Sequence, residues 1–301
     1  MQKVKAWISA ARLRTLPLSI SGILMAAAAA VNEGEFSMVI LILALLTTLG
    51  FQVLSNFAND YGDGKKGTDN KDRVGPVRAM QGGLLNAREL KRGMIVTAII
   101  TILLSTMLIF QAFGSDNLVL AFIFFNLGIA AIIAAVKYTV GDNAYGYRAM
   151  GDVFVFIFFG LVGVVGCYFL FTTEITSLIF LPAMTIGLLS TAVLNLNNMR
   201  DRIPDRAVNK NTLAVVLGGK KVKYYHYALL IGAAITAVLY SYLAYDLSIA
   251  FLPIIALFPM IFNAIKVYKN KIPALLDPEL KKVALSTFFF AFLHIVVSFW
   301  L

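Results

Sequence analysis

The chain has 301 residues, of which 59% are hydrophobic and 14% charged, and a formal net charge of +10. A soluble domain carries about 25% charged residues, so this composition, with a mean hydropathy of +0.81, excludes the soluble class and predicts an all-α integral membrane protein. The single cysteine, Cys167, sits in an apolar run and excludes both a disulfide framework and a CxxC metal site.

Taken in order, nine apolar runs approach the length of about 20 residues that a crossing helix needs, at roughly 16–32, 36–59, 93–113, 117–138, 152–172, 176–198, 224–244, 247–267 and 283–301. No short apolar core followed by a small-residue cleavage site opens the chain, so the first run is expected to remain as a permanent span. The turns NEGEF, GSDN, TTE and YDLS alternate with longer polar connections, which predicts helix hairpins.

All 26 Lys and Arg residues lie before the first span, in the long connections or at their edges, whereas the short turns carry only Glu33, Glu35, Asp116, Glu174 and Asp246. Because basic loops stay in the cytoplasm, the N-terminus and the polar site are expected there, with the C-terminus outside, in a bacterial inner (cell) membrane. The positive charge then reflects topology, with membrane lipid as a secondary partner and no role for nucleic acid.

The stretch Asn56 to Gly83 places dense charge beside lipid-spanning segments. Asn56, Asp60 and Asp63 stand at i, i+4 and i+7, so they share a face if the second helix runs on to Asp63. Oxygen ligands on one face suit a hard cation such as Mg²⁺, which takes one or two carboxylates plus substrate phosphates. Lys65, Lys66, Lys71, Arg73 and Arg78 follow at once, as a metal–diphosphate would need. A second cluster, Asn197 to Asp205, repeats the Asn-to-Asp interval and adds Asp205 four residues on. Four spans separate the clusters, so both reach one membrane face and the halves are related as parallel repeats. Pro204 argues against an unbroken helix through Asp205.

Other motifs fail. Gly62 and Gly67 have P-loop spacing, but Thr68 follows where lysine is required. A calcium loop starting at Asp60 would need glutamate where Lys71 stands. His226 and His294 lack metal-ligand spacing. A cation-coupled transporter would also use paired acidic motifs, but near the bilayer midplane, where no predicted span carries a charge.

Asn59-Asp60-Tyr61-Gly62-Asp63, together with Asp201 to Asp205 followed by Lys210, resembles the two aspartate-rich motifs of the UbiA superfamily of intramembrane aromatic prenyltransferases. The wording at 59–69, RVGPVR at 73–78, YGYRAMGD at 145–152, NNMRD at 197–201 and NTLAVVLG at 211–218 resembles the branch that prenylates 1,4-dihydroxy-2-naphthoate. The chain departs from many members in having Gly67 and then Asp69 where they place an aspartate at the position of Gly67. This leaves Asp69 open between binding metal, binding it through water and capping the loop. The resemblance covers essentially the whole chain.

It implies one domain over 1–301, with nine transmembrane helices around a central cavity. Two parallel four-helix repeats, at roughly 1–138 and 139–267, would be followed by a last helix at roughly 283–301. It also implies Mg²⁺ held by Asp60, Asp63, Asp201 and Asp205 with Asn56 and Asn197, and a diphosphate clamped by Arg73, Arg78 and Lys210. Arg14, Gln81, Lys137, Tyr138 and Tyr145 would contact acceptor or diphosphate, the interfacial aromatic belt being the other reading of the two tyrosines. The implied reaction is transfer of a polyprenyl group from polyprenyl diphosphate to 1,4-dihydroxy-2-naphthoate with loss of CO2 and pyrophosphate, a step of menaquinone synthesis. 4-Hydroxybenzoate or haem are the alternative acceptors. Cysteines placed at Asp116 and Asp246 are expected to react with an impermeant thiol reagent on intact cells, and one at Lys66 only after permeabilisation. Labelling of position 66 in intact cells would reverse the topology.

Overall fold

The structure is a computed structural model that describes residues 2–69, 74–245, 249 and 251–300. Among the described residues it is helical, with no strand beyond a single bridge between Arg148 and Asn211. A short α1 (Gln2–Ala11) turns into α2 (Leu16–Asn32), followed by α3 (Met38–Lys65), α4 (Ala87–Phe113) and α5 (Leu118–Lys137). Then come α6 (Gly151–Thr172), α7 (Phe180–Ala207), α8 (Leu213–Ala244), α9 (Pro259–Lys269) and α10 (Asp277–Trp300). Among the described residues, eight helical segments are long and apolar enough to cross a membrane, α1 and α2 counting as one.

The helices begin where the sequence supplies acceptors for their orphan N–H groups. Ser37 caps α3, Thr212 caps α8, and Asn86 with Glu89 forms a reciprocal capping box on α4. Three boundaries differ from expectation in ways that matter. α3 runs on to Lys65, and α7 passes through Pro204 to Ala207, so the helix stays unbroken through Asp205. α8 starts at Leu213, before the expected position, and kinks at Gly218, whose φ of 74° suits glycine. The eighth expected span is a 3₁₀ turn, Pro253–Leu257, leading into the short α9. Pro253 and Pro259 each remove a backbone donor there, and residues 246–248 and 250 lie outside the described residues.

Lipid is as apolar as leucine, so helices pack in it by close backbone approach and hydrogen bonding. Residues Phe156–Gly166 of α6 are π-helical, and the segment lies tightly on α7 at Gly160 and Gly187. A Cβ on Gly160 would come within 2.6 Å of the Ala183 carbonyl oxygen. α10 packs on α2, α7 and α9, whereas α5 packs only on α3 and α4 to any extent and has no buried residue. Both histidines sit in packing networks. His226 Nε2 lies 2.8 Å from Asn263 Oδ1, and Asn263 in turn donates to Glu279 at 2.9 Å. His294 Nδ1 is 3.0 Å from the Tyr245 hydroxyl.

Gly160→Leu should therefore destabilise the protein by about 1–3 kcal/mol through overpacking, read as a lower thermal midpoint in micelles. Gly166→Ala should not lower it, because the new Cβ would meet only Val162 at 3.8 Å.

Candidate active site

The ends of α3 and α7 carry buried carboxylates to one end of the bundle, where three connections fold over them. Asp63 is the meeting point. Its Oδ2 pairs with Arg78 Nη1 at 2.6 Å and faces Lys210 Nζ at 3.8 Å, while its Oδ1 accepts from the Tyr147 hydroxyl at 2.7 Å. Arg78 also reaches Asp69 at 3.0 Å, and Lys210 lies 3.7 Å from Asp205 on α7. The same Arg78 nitrogen donates to the Asn59 carbonyl at 2.6 Å. Tyr147 joins Thr68 at 2.6 Å and lies beneath the Lys66 ammonium, which is 4.0 Å from the ring centroid.

Electrostatics follow from this crowding. Burial alone would lower the Arg78 pKa, but Asp63, Asp69 and Asp60 more than offset it and hold the guanidinium above its usual range. Burial, reinforced by the Asp63 carboxylate, pushes the Tyr147 hydroxyl up, so it remains a donor at neutral pH. Burial also lowers Lys66, with Lys210 adding repulsion while Asp63 and Asp142 oppose the fall.

The structure thus brings Asp63, Asp205, Arg78 and Lys210 together, and the other expected residues that it describes have the following partners and surroundings. Asp60 accepts from the backbone amides of Ala79 and Met80 at 3.1 and 3.2 Å. Asn56 is engaged at both ends of its amide, donating to the Ala11 carbonyl at 2.9 Å and accepting from Gln52 at 3.3 Å. Asp201 and Asn197 both bind the buried Arg200, at 2.6 and 2.7 Å, and Arg200 continues to Asp277 at the start of α10. Gln81 accepts from the Arg78 backbone N–H at 3.2 Å. Arg14 is exposed and borders a cavity of about 290 Å³ shared with Asp60 and Arg78. Lys137 is exposed at the end of α5, and Arg73 lies outside the described residues.

Tyr147 and Arg200 are the two contributors that spacing did not single out. Tyr147 lies inside YGYRAMGD, where neither charge nor spacing sets it apart from Tyr145. Arg200 reads in sequence as one more basic residue on a basic face.

A larger cavity, about 590 Å³, begins one residue from Asp60 at Asn59 and extends past Ala44 on α3 and Leu108 on α4. Ala44 to Asn59 spans about 22 Å of helix. Its walls are apolar, apart from Ser19, Gln52, Ser55 and a few hydroxyls, and Tyr138 and Tyr145 stand at its head. Tyr145 is fixed by donating to the Ala134 carbonyl at 2.8 Å and by stacking on Phe154, with centroids 4.0 Å apart. Cationic side chains beside acidic ones at the mouth of an apolar channel suit an amphiphile with an anionic head.

The donor set also suits a hard cation. Asp63, Asp69 and Asp205 are buried oxygen donors with no thiol or imidazole beside them. Among the described residues no cluster of three or more His, Cys, Asp or Glu forms a complete cage. Mg²⁺ does not require one, since substrate phosphates complete its shell.

The sequence profile described as the UbiA prenyltransferase family matches residues 19–299. The chain is 44% identical to the 1,4-dihydroxy-2-naphthoate octaprenyltransferase of Haemophilus influenzae, over 94% of this chain and 92% of that one. It is 37% identical to the protein of the same name from Escherichia coli, over 100% of this chain and 98% of that one. A UbiA homolog from Archaeoglobus fulgidus, bound to DMAPP and Mg²⁺, superposes with a TM-score of 0.61 at 18% identity, covering 95% of this chain and 99% of that one. With a profile match across nearly its full length and relatives this similar along more than nine-tenths of their length, the chain belongs to the UbiA prenyltransferase family.

Proposed function

We propose that the protein transfers a polyprenyl group from a polyprenyl diphosphate to 1,4-dihydroxy-2-naphthoate, yielding demethylmenaquinol, the reduced precursor of menaquinone, with CO2 and pyrophosphate. The observation that carries this reading is the union of the Asp63–Arg78–Lys210–Asp205 cluster with the apolar cavity that starts at Asn59. The named relatives, similar to this chain over nearly all its length, supply the acceptor. On this reading residues 1–301 act as one catalytic unit, with the charged end of the bundle facing the cytoplasm.

In the reaction the allylic C–O bond breaks with both electrons going to the diphosphate oxygen. The ring carbon that bears the carboxylate attacks the allylic carbon, and loss of CO2 returns its bonding pair to the ring. Mg²⁺ held by one or two of the carboxylates of Asp63, Asp205 and Asp69 would neutralise the leaving diphosphate when bound. Arg78, Lys210 and Lys66 add positive charge fixed before the substrate arrives, which is where electrostatic catalysis gains most. Tyr147 orients Asp63 and remains protonated. The apolar walls below Tyr138 and Tyr145 keep water from the allylic cation. The acceptor is electron-rich through its two hydroxyls and needs no strong protein base, in keeping with histidines committed to packing.

Purified protein given Mg²⁺, a polyprenyl diphosphate and either naphthoate or 4-hydroxybenzoate should yield a decarboxylated prenylnaphthoquinol by mass. Prenylated hydroxybenzoate without naphthoate turnover would refute the assignment. Chelation by EDTA should abolish turnover, restored by added Mg²⁺. Arg78→Gln should lower turnover by about 10²–10³, and Tyr147→Phe, which removes one hydrogen bond to a charged group, by about tenfold. Full activity of a folded Arg78→Gln protein would remove Arg78 from the site.

A further inference from the structure

Asp152 is a buried carboxylate to which the chemistry above gives no task. It stands in the first turn of α6 and is 3% exposed, and neither of its side-chain oxygens completes a hydrogen bond among the described residues. The amide dipoles at the start of α6 favour its ionised form. A carboxylate held out of water without a partner is nonetheless costly. Two hydroxyls face it from neighbouring elements, those of Tyr225 on α8 and Tyr138 at the end of α5.

Tyr138 connects this acid to the large cavity. Its ring lies in a slot between two glycines. A Cβ on Gly146 would come within 3.1 Å of its Cε1 and Cζ, and one on Gly151 within 3.1 Å of its hydroxyl oxygen and 3.3 Å of its Cε2. The hydroxyl end is thereby held at Gly151, the residue before Asp152, while the side chain lines the head of the cavity with Tyr145 and Leu194. Burial pushes the Tyr138 hydroxyl pKa up, and Asp152 adds to the rise ahead of Asp63 and Asp205. The group therefore keeps its proton at neutral pH and is a donor toward these acids.

We propose that Tyr138 and Asp152 form the subsite that reads the C4 hydroxyl of the naphthoate acceptor, that hydroxyl donating to the Tyr138 oxygen and Tyr138 donating in turn to the Asp152 carboxylate. This rests on the prenyl-transfer reading above and adds how the second hydroxyl is recognised. The C1 hydroxyl is adjacent to the acceptor's carboxylate and is taken up by an internal hydrogen bond to it, whereas the C4 hydroxyl is free to donate to the protein. With the carboxylate-bearing carbon turned to the allylic diphosphate, C4 lies two ring atoms away on the side opposite the C1 hydroxyl. Contact there fixes the rotation of the ring in its plane. Asp152 touches no substrate in this arrangement. It is a positioning residue that directs the Tyr138 proton away from the cavity and leaves the oxygen's lone pairs facing the acceptor. The bond from Tyr138 to Asp152 is open in the structure, and hydrogen bonds of this kind commonly tighten when substrate binds. No proton is transferred, so the balance of the reaction is unchanged.

The test uses purified protein, Mg²⁺, geranyl diphosphate and 1,4-dihydroxy-2-naphthoate. Tyr138→Phe and Asp152→Leu should each lower kcat/KM for the naphthoate by about tenfold or more, with KM for geranyl diphosphate little changed. The double variant should be no worse than the poorer single one, because both substitutions break the same chain. 1-Hydroxy-2-naphthoate, which lacks the C4 hydroxyl, should inhibit the unmodified and substituted proteins equally. Unchanged naphthoate kinetics in either single variant, losses that multiply in the double variant, or an equal rise in KM for both substrates would overturn the subsite. If a variant does not fold, the unmodified protein decides. 1-Hydroxy-2-naphthoate should inhibit it about tenfold or more weakly than 4-hydroxy-2-naphthoate, and equal inhibition by the two overturns the proposal. Absence of naphthoate turnover by the unmodified protein is a separate result, which would remove the function reading and the subsite with it.

Discussion

The buried carboxylate of Asp63 is the constraint on which the charged end of the protein depends. A charge removed from water is tolerated only when paired and hydrogen-bonded, and no partner on α3 itself supplies this. Arg78 comes from the connection after α3, Tyr147 from the connection after α5, and Lys210 from the turn after α7. Three loops far apart in sequence are therefore fixed relative to one another by a single side chain. The cations gain as well, because the Arg78 side chain is only 10% exposed and would be costly to bury without a partner.

The other aspartates of the two motifs divide into supporting positions around this point. Asp60 gathers the Ala79 and Met80 amides and so sets the backbone that aims Arg78 back at Asp63. Asp201 neutralises Arg200, which ties α7 to the first turn of α10 through Asp277. The motif residues thus shape the loops that cover them as much as they face a substrate, and this explains why buried acids and bases are so tightly interleaved here.

Much of the architecture was legible because lipid imposes a simple rule on the sequence. Apolar runs marked the helices, and basic residues all gathered at one set of connections. The i, i+4, i+7 spacing placed Asn56, Asp60 and Asp63 on α3, and the structure continues α3 to Lys65 as that spacing requires. Pro204 was misleading because the one N–H bond it removes does not end α7, which runs past it to Ala207. The eighth span, at 247–267, was legible as an apolar run but not in its internal form, which among the described residues is a 3₁₀ turn from Pro253 leading into α9. Which aspartates meet was not readable either. Asp63 and Asp205 share Lys210, whereas Asp201 turns to Arg200, and that choice depends on side chains arriving from separate loops.

One helix stands apart from this stitching. α5 buries none of its 20 residues, so half of its environment is whatever surrounds the protein. In a bilayer the lateral pressure of the acyl chains acts as its missing neighbour, and the helix holds its place by that pressure together with its seams to α3 and α4. Extraction into detergent exchanges that pressure for a softer belt. The spacing of α5 from the rest of the bundle is thereby coupled to membrane composition, and thickness or stiffness of the lipid becomes a physical input to the shape of the cavity.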